Sequence, residues 1–449
     1  MKNILLLVLT IITLCRAGEL YASTSSHDSF VHVNSETGLS QSNVKAIVQD
    51  CYGFIWLGTK NGLNRYDGQK VTQFYCYDKK LHCGNQNISA LFSDSGHTLW
   101  VGTDEGVYRY DQTTETFSFV DAKTADGKMM KGWVADITED QEGNIWIVVP
   151  ANGIFKYDTK GKLRLYSPET DDKSNMPINI CICSDGSIWS CAWNIGLLEY
   201  NRRKDDFVVH TKDASGKSLL NIETNTLSQQ GDNLIMAVQN GELKKYDYKR
   251  NILTDITLQN FKHTYVRNAL VLDTDIYVGT YNGLYILNEQ NRTVRHYVQD
   301  ISNKEGLSDN IIYTIYRDRE KGVWVGTMFG GANYMANRNL TFRHHKMSES
   351  YGRQKTDIRV RELVEDRNGM MWIGTENSGI KCMKLKDGVI ENLQSKWGDE
   401  ESDITLSVSA DNEHVYCGLY KDGFEIIDAK GNSSYYKNNQ LHLDGSVYS

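Results

Sequence analysis

Hydrophobic and polar residues alternate in short runs along this chain, and one arrangement of them recurs nine times. Each copy has an anchor, usually aromatic, between two apolar residues, then a small residue, and a glycine six or seven residues after the anchor. The anchors lie 42 to 48 residues apart, at Trp56, Trp100, Trp146, Trp189, Ile235, Tyr277, Trp324, Trp372 and Tyr416. Nine copies at this spacing indicate an internal structural repeat.

Each copy predicts four short strands. An apolar run precedes the anchor, and an aspartate stands six positions before it at Asp50, Asp94, Asp140, Asp318 and Asp366. A third strand follows the glycine, and a more polar fourth strand completes the unit, with no convincing amphipathic helix. A four-stranded repeat of this length predicts an all-β fold of β-propeller blades. A β-solenoid is the alternative, less favoured because its coils are usually shorter.

Strand geometry supports the propeller. In Trp56-Leu57-Gly58 the tryptophan and the glycine share one face and the leucine takes the other. Both faces are apolar, as expected for a blade packed between two neighbours, and a large ring beside a glycine would let facing sheets interlock.

Composition agrees with a globular β protein. The chain has 449 residues, net charge −8, 40% hydrophobic and 24% charged residues, and 3 prolines against 37 glycines. An acidic chain has no general field to attract nucleic acid or an anionic membrane surface. We therefore expect no nucleic-acid contact by this segment.

The first 22 residues predict a secretory signal peptide. Lys2 and Asn3 precede the apolar run 4–15, and small residues follow at Ala17, Gly18 and Ala22. A lipoprotein cleavage box ending at Cys15 is a poor match because Leu14 is large. No other stretch is long and apolar enough to span a bilayer. We therefore predict a periplasmic protein.

Cysteines, metals and cofactors add little. Eight cysteines follow the leader, and none of their spacings makes a double CxxC zinc site. We expect them to be buried and unpaired, with Cys76 and Cys83 the one pair worth testing for a disulfide. We predict no metal and no cofactor, because no metal-ligand spacing or phosphate-binding loop is present, and a quinone-cofactor propeller carries a different tryptophan motif.

Two stretches resemble a known family. Residues 38–44 (GLSQSNV) lead to residues 55–67 (IWLGTKNGLNRYD), and residues 306–311 (GLSDNI) lead to residues 323–327 (VWVGT). This order resembles the two-component regulator propeller repeat, and the resemblance covers roughly residues 30 to 449. The repeat is typical of the periplasmic half of hybrid two-component sensor histidine kinases that control polysaccharide-utilisation genes in gut bacteria.

The resemblance implies a larger parent. In the family, two seven-bladed propellers precede a β-sandwich, a transmembrane helix, a histidine kinase and a response regulator with a DNA-binding domain. Here residues 444–449 resemble the start of a tenth repeat. We therefore expect a truncated frame or a fragment, with a seven-bladed propeller at 30–347 and an incomplete second propeller at 348–449. Homodimerisation and membrane attachment would belong to an intact parent.

Loops at one face of the propeller are the predicted ligand site. The loop entering each first strand and the loop between the second and third strands emerge together, and aromatic and amide side chains there suit a sugar. An oligosaccharide is the expected partner, bound at this face or at a junction between two propellers. An isolated Asn-Gly also reads simply as a turn. The candidate ligand-binding residues are Asn43, Asn61, Trp133, Trp193, Asn194, Tyr281, Asn282, Asn310 and Phe329.

Two other function classes stay open at this point. A glycan-active propeller hydrolase or lyase would need convergent carboxylates, for which Asp104, Glu105 and Glu376 are available. No nucleophile elbow is present, and we expect no enzyme activity in this segment. A plain protein-interaction propeller is the remaining alternative.

Overall fold

The computed structural model describes residues 29–167, 176–257, 264–288, 293–337, 348–351, 354–357, 359–376, 378–384, 390–393, 404–411, 413–420, 423–428 and 432–437. The predicted signal peptide and the chain end at 444–449 lie outside these residues. The chain divides into two compact units, Met1–Leu340 and Thr341–Ser449. Among the described residues, no helix has the length and apolar character needed to cross a membrane.

The first unit consists of seven four-stranded antiparallel sheets. It begins with β1 (Phe30–Val33) and a short 3-10 helix (Ser35–Thr37). Sheet one is β2 (Val44–Gln49), β3 (Ile55–Thr59), β4 (Gly62–Tyr66) and β5 (Val71–Phe74). A small hairpin follows, β6 (Tyr77–Asp78) and β7 (Cys83–Gly84). Sheet two is β8 (Ile88–Ser93), β9 (Leu99–Thr103), β10 (Gly106–Asp111) and β11 (Thr116–Phe119).

The next three sheets repeat this order. Sheet three is β12 (Asp136–Glu139), β13 (Ile145–Val149), β14 (Gly153–Tyr157) and β15 (Leu163–Tyr166). Sheet four is β16 (Pro177–Ile182), β17 (Ile188–Ala192), β18 (Gly196–Asn201) and β19 (Asp206–His210). Sheet five is β20 (Thr224–Gln230), β21 (Asn233–Val238), β22 (Leu243–Asp247) and β23 (Ile252–Asp255).

The last two sheets close the ring. Sheet six is β24 (Val266–Leu272), β25 (Asp275–Thr280), β26 (Gly283–Asn288) and β27 (Thr293–Tyr297). Sheet seven is β28 (Ile312–Arg317), β29 (Val323–Thr327) and β30 (Ala332–Met335), with β1 as its outer strand. The first strands pack in succession round the ring, and β28 packs against β2. The ring is therefore closed, and β1 from the start of the chain pairs with β30 in the last sheet.

The core of this unit lies between sheets. Seven clusters of buried side chains each combine residues from two adjacent sheets, including the seventh with the first. The small residue of the repeat motif allows this close packing. A Cβ added to Gly58 would lie 2.6 Å from Cγ2 of Ile88, and one added to Gly102 would lie 2.7 Å from Cγ1 of Val134. Ile88 lies in the first strand of the next sheet, and Val134 lies just before the first strand of the next sheet.

The second unit repeats the same pattern. A hairpin of β31 (Ser348–Tyr351) and β32 (Gln354–Asp357) precedes two four-stranded sheets. Sheet eight is β33 (Val360–Glu365), β34 (Met370–Thr375), β35 (Ile380–Lys384) and β36 (Ile390–Leu393). Sheet nine is β37 (Thr405–Ala410), β38 (His414–Leu419), β39 (Gly423–Asp428) and β40 (Ser433–Tyr436). The two sheets bury a shared core containing Trp372, Val408 and Cys417.

The predicted all-β propeller class, with a seven-bladed ring and the first blades of a second, is confirmed. The predicted boundary at 347/348 follows residues outside the described ranges and stays a prediction. Cys76 and Cys83, the pair considered for a disulfide, are both free thiols in the structure.

Candidate functional site

A β-bulge interrupts the first strand of most sheets close to its start. The register with the second strand shifts between residues 44 and 46, 88 and 90, 177 and 179, 224 and 226, 266 and 268, and 312 and 314. A bulge re-aims one side chain away from the regular alternation. The re-aimed residues are Lys45, Ser89, Ile178, Asn225, Arg267 and Tyr313, and all six line one central cavity.

This cavity has a volume of about 510 Å³, and residues in or beside the first strands of all seven sheets line it. Trp133, Trp193 and Tyr265 add aromatic side chains beside the starts of those strands. A space of this size, with aromatic rings and a few polar groups, has the character of a small-molecule site.

Bulge side chains reach across to the next sheet. The Lys45 Nζ donates to Oδ1 of Asn87 at 2.8 Å, the Ser89 hydroxyl donates to the Val134 carbonyl at 2.7 Å, and Asn225 Nδ2 donates to the Val266 carbonyl at 2.6 Å. These bonds join neighbouring first strands beside the cavity. They also position the polar side chains that line it.

Arg267 lies among three tyrosine rings. Its guanidinium carbon is 4.3 Å from the ring centre of Tyr313, 5.6 Å from that of Tyr281 and 5.9 Å from that of Tyr265. Tyr265 and Tyr281 stack with centroids 4.6 Å apart, and an Arg267 terminal nitrogen donates to the Tyr281 hydroxyl at 3.1 Å. The Nε of Arg267 is buried and has no hydrogen-bond acceptor.

Asp136 is the one carboxylate among the described residues that line the cavity. Its Oδ2 accepts from Asn179 Nδ2 at 2.5 Å and from the Ile180 N–H at 3.1 Å, while Oδ1 accepts from the Ile137 N–H at 2.9 Å. Burial outweighs these bonds and raises its pKa to about 6. A glycosidase of the common two-carboxylate type needs a second such group, and the lining residues do not supply one.

The carboxylates considered for catalysis lie elsewhere. Asp104 accepts a hydrogen bond from the amide nitrogen of Asn87, the residue that also accepts from Lys45. Neither Asp104 nor Glu105 lines the cavity. Glu376 belongs to the second unit, where it pairs with Arg361 at 3.3 Å. Among the described residues, no group of three His, Cys, Asp or Glu side chains could hold a metal ion.

Two of the nine predicted ligand residues line the cavity, Trp133 and Trp193. Trp133 is 47% exposed. Trp193 is partly exposed, but its indole Nε1 is buried and has no hydrogen-bond partner. Tyr281 is 42% exposed and joins the same cluster through Arg267 and Tyr265.

The predicted turn and strand-entry loops do lie side by side. Backbone N–H groups of the turns donate to carbonyls at the strand entries: Lys60 to Asn43 at 3.3 Å, Trp193 to Met176 at 3.1 Å, and Tyr281 to Tyr265 at 3.0 Å. Both kinds of loop therefore lie at the same face of the ring.

The six other candidates are not among the cavity-lining residues. Asn43 is buried, and its Oδ1 has no partner. Asn61 and Asn282 are turn residues whose N–H groups donate to Thr59 and Thr280. Asn194 has the left-handed φ of 63° typical of turn asparagines, Asn310 accepts from the Gln299 N–H at 2.7 Å, and Phe329 is 67% exposed. Their role in ligand binding stays a prediction.

Sequence reasoning missed Lys45, Arg267, Tyr265 and Tyr313. Three of these four lie on bulges ten or eleven residues before the anchor, and not in the loops where ligand residues were expected. That position carries Lys, Ser, Ala, Ile, Asn, Arg and Tyr in the seven sheets, whereas the residue before it is Val or Ile in five of the seven. Chemical variety at one position of a regular repeat is the signal that could have found them.

Comparisons with known proteins agree with this architecture. The family model described as two component regulator propeller matches residues 306–329 and 355–377. No curated protein matches the chain. The extracellular domain of BT3049 from B. thetaiotaomicron, described as a hybrid two component system, is similar with a TM-score of 0.58 and 20% identity, covering 91% of this chain and 54% of that one.

The extracellular domain of BT4673 from B. thetaiotaomicron is also similar. One structure of it, described as part of a one component system, has a TM-score of 0.58 and 19% identity over 92% of this chain and 54% of that one. Another structure, described as part of a hybrid two component system, has a TM-score of 0.57. The chain thus spans about half the length of these extracellular domains. Two of its repeats match the two component regulator propeller family, on a fold shared with these domains.

Proposed function

We propose that this chain is the ligand-sensing region of an extracytoplasmic two-component regulator and that it binds an oligosaccharide in the central cavity. The observation that carries the proposal is the presence of two tryptophan rings, Trp133 and Trp193, on a cavity of about 510 Å³ with polar side chains between its walls. Aromatic faces stack on the apolar face of a pyranose, and amide and charged groups bond its hydroxyls.

The sequence and the repeats support a location and a signalling role that form part of this proposal. The apolar leader at residues 1–22 supports export to the periplasm, as do the extracellular relatives that share the fold. In an intact parent, a bound sugar would favour one arrangement of the sensor over another and so bias a histidine kinase across the membrane. Control of polysaccharide-utilisation genes and action as a homodimer belong to this same proposal.

The proposal is tested by incubating the purified chain with an array of neutral and acidic glycans. Titration calorimetry then measures the affinity for any glycan that the chain binds. We expect Trp193→Ala to weaken binding by about tenfold or more, since stacking of a ring contributes on the order of 1 kcal/mol beyond area burial and the area itself adds to this. Tyr281→Ala should weaken it less, through loss of support for Arg267.

Tyr52→Ala is the matched control. Tyr52 is a 71% exposed aromatic residue in the turn between β2 and β3, at the opposite end of β2 from the bulge at Lys45. If Trp193→Ala and Tyr281→Ala bind glycan as the parent chain does, the proposed face is wrong. If product analysis shows that the chain cleaves the bound glycan, the chain is an enzyme instead.

A further inference from the structure

We propose that the cavity selects an acidic saccharide, with a sugar carboxylate or sulfate held between Arg267 and Lys45. This inference rests on the proposed function, because it assigns a chemical class to the ligand of the same cavity. The inference depends on the charged side chains that line the cavity. Their balance of positive and negative charge differs from that of the chain as a whole, which is acidic.

Arg267 has a positive charge that no carboxylate of the described residues pairs with. Its guanidinium lies beside the three rings of Tyr265, Tyr281 and Tyr313, and it donates a hydrogen bond to the hydroxyl of Tyr281. Within the described part of the chain, its buried Nε has no acceptor. Arginine forms two parallel hydrogen bonds with carboxylate or sulfate-like groups, and a buried donor without an acceptor is costly until a ligand supplies one.

Lys45 adds a second positive charge at the same cavity. Its ammonium donates to the neutral amide oxygen of Asn87. The amide nitrogen of Asn87 in turn donates to the carboxylate of Asp104. Burial lowers the pKa of Lys45, and the positive charges of Lys60 and Arg267 lower it further, although Asp104 opposes them. An anion beside Arg267 would relieve this repulsion.

The remaining polar groups point to the same ligand class. The buried Nε1 of Trp193 is another donor without an acceptor. Asp136, the lining carboxylate, has both oxygens engaged by N–H groups of its neighbours and makes no ion pair with either cation among the described residues. The cavity is therefore lined by two cations that form no ion pair with its carboxylate among the described residues, which matches a negatively charged ligand.

A free inorganic anion would satisfy the two cations but not the aromatic walls. Trp133 and Trp193 line the same cavity, and an inorganic anion has no apolar ring face to stack on an aromatic side chain. A sugar ring with an acidic substituent uses both features. Inorganic sulfate alone is therefore included as a separate arm of the test.

Titration calorimetry with paired probes tests the inference. The pairs are a tetragalacturonate and its carboxyl-reduced form, and a chondroitin sulfate tetrasaccharide and its desulfated form. The purified chain should bind the acidic member of at least one pair about tenfold or more tightly than its partner, since hydrogen bonds to charged groups have this magnitude. The preference should shrink as salt rises.

Three variants identify the residue responsible. Arg267→Gln should abolish the preference for the acidic member, whereas Arg267→Lys should retain part of it. Arg203→Gln removes the same charge from an exposed turn outside the cavity lining and should leave the preference unchanged. Thermal unfolding of each variant checks that the ring has formed.

The outcomes separate the two proposals. Equal affinity for acidic and neutral members, or a preference that Arg267→Gln leaves intact, overturns the acidic-saccharide inference while oligosaccharide binding stands. Binding of inorganic sulfate as tight as that of the acidic tetrasaccharide also overturns it. If no glycan of the array or of the pairs binds, both proposals fail.

Discussion

The indole Nε1 of Trp146 donates a hydrogen bond of 2.7 Å to Oδ2 of Asp140, six residues earlier in the chain. The other carboxylate oxygen of Asp140 accepts from the N–H groups of Glu142 at 2.9 Å and Asn144 at 3.0 Å. The Asp140 side chain therefore closes the turn between the first two strands of sheet three and holds the Trp146 indole, which packs between sheets. The same indole bond occurs at Asp50, Asp94, Asp318 and Asp366, with lengths of 2.7 to 3.0 Å.

Substitution of Asp140 by alanine should destabilise the first unit. It leaves the Trp146 indole and two turn N–H groups without an acceptor, and each unsatisfied buried donor costs about 1–3 kcal/mol. We expect the free energy of unfolding to fall by about 2–4 kcal/mol, measured by urea denaturation followed by tryptophan fluorescence.

Asp158→Ala is the matched control for this change. Asp158 also closes a turn, accepting from the N–H groups of Lys160 and Lys162, but it holds no indole. It should cost only about 1 kcal/mol, in line with an exposed turn bond. Equal losses in the two variants would show that the indole bond adds nothing.

Sheet four lacks the aspartate, and its tryptophan shows the consequence. Cys183 stands six positions before Trp189, and the Trp189 Nε1 is buried without a partner. The backbone turn is the same, since the Cys183 N–H donates to the Ser187 carbonyl at 2.8 Å as that of Asp140 donates to Asn144 at 2.9 Å. Cys183→Asp should therefore supply the missing acceptor and stabilise the unit by about 1 kcal/mol.

Cys183→Val separates the acceptor from side-chain size. Valine fills a similar volume but accepts no hydrogen bond, so it should be neutral or slightly destabilising. A gain in the midpoint of urea denaturation for the valine variant, or a loss for the aspartate variant, would contradict the explanation.

The repeat could be predicted from the sequence because its anchors are strict. A tryptophan between apolar residues, a close-packed glycine such as Gly102 and an aspartate six residues earlier leave one way for adjacent sheets to pack. The closure by β1 could not be predicted with equal ease, since its sequence is that of any short strand. Its pairing is decided by the partner edge that β30 leaves open.

The candidate site was only partly predictable for a related reason. Loop aromatics such as Trp133 and Trp193 stand out because they interrupt polar turns. Arg267 and Tyr313 lie within strands, where alternation assigns them to a sheet face, and only the bulge turns them towards the cavity. Regular alternation of period two contains no extra residue, so it assigns a bulged residue to the wrong face.

Ring closure should depend on one face of β1. Phe30 is 4% exposed, packs edge-on against Tyr297 with centroids 5.6 Å apart and belongs to the cluster between sheets six and seven. Phe30→Ala should lower the free energy of unfolding by about 3–4 kcal/mol through the cavity it creates. Val31, the next residue, is 55% exposed, so Val31→Ala should change it by less than about 0.5 kcal/mol.

Denaturation of both variants at one protein concentration checks this prediction. If Phe30→Ala and Val31→Ala are equally stable, β1 does not hold the ring closed. Limited proteolysis gives a second readout, because a released β1 should be cleaved early in the phenylalanine variant alone.

Asp136 should make the stability of the ring depend on pH. Burial raises its pKa to about 6 from an ordinary value of 3.8, so the folded state favours the protonated carboxyl. The stabilisation is therefore fully present below about pH 4 and is lost as pH rises through about 6. Cys181 and Cys191 interact with this carboxylate, but both stay neutral in this range. The hydrogen bond that the Cys181 thiol donates to Cys183, together with burial, raises the pKa of Cys181, and burial raises that of Cys191 to about 12.

Asp136→Asn removes the titration. The difference in unfolding free energy between the parent chain and this variant should shift against the parent by about 2 kcal/mol between pH 4 and pH 7, with allowance for the part of Asp136 that is open to the cavity. Asp213 provides a contrast of opposite sign, because a hydrogen bond from Ser215 and others hold its pKa at about 2, so the parent loses stability relative to Asp213→Asn only as pH falls below about 4. A pH-independent difference for Asp136→Asn would mean that this carboxylate is solvated as freely in the folded ring as in the unfolded chain.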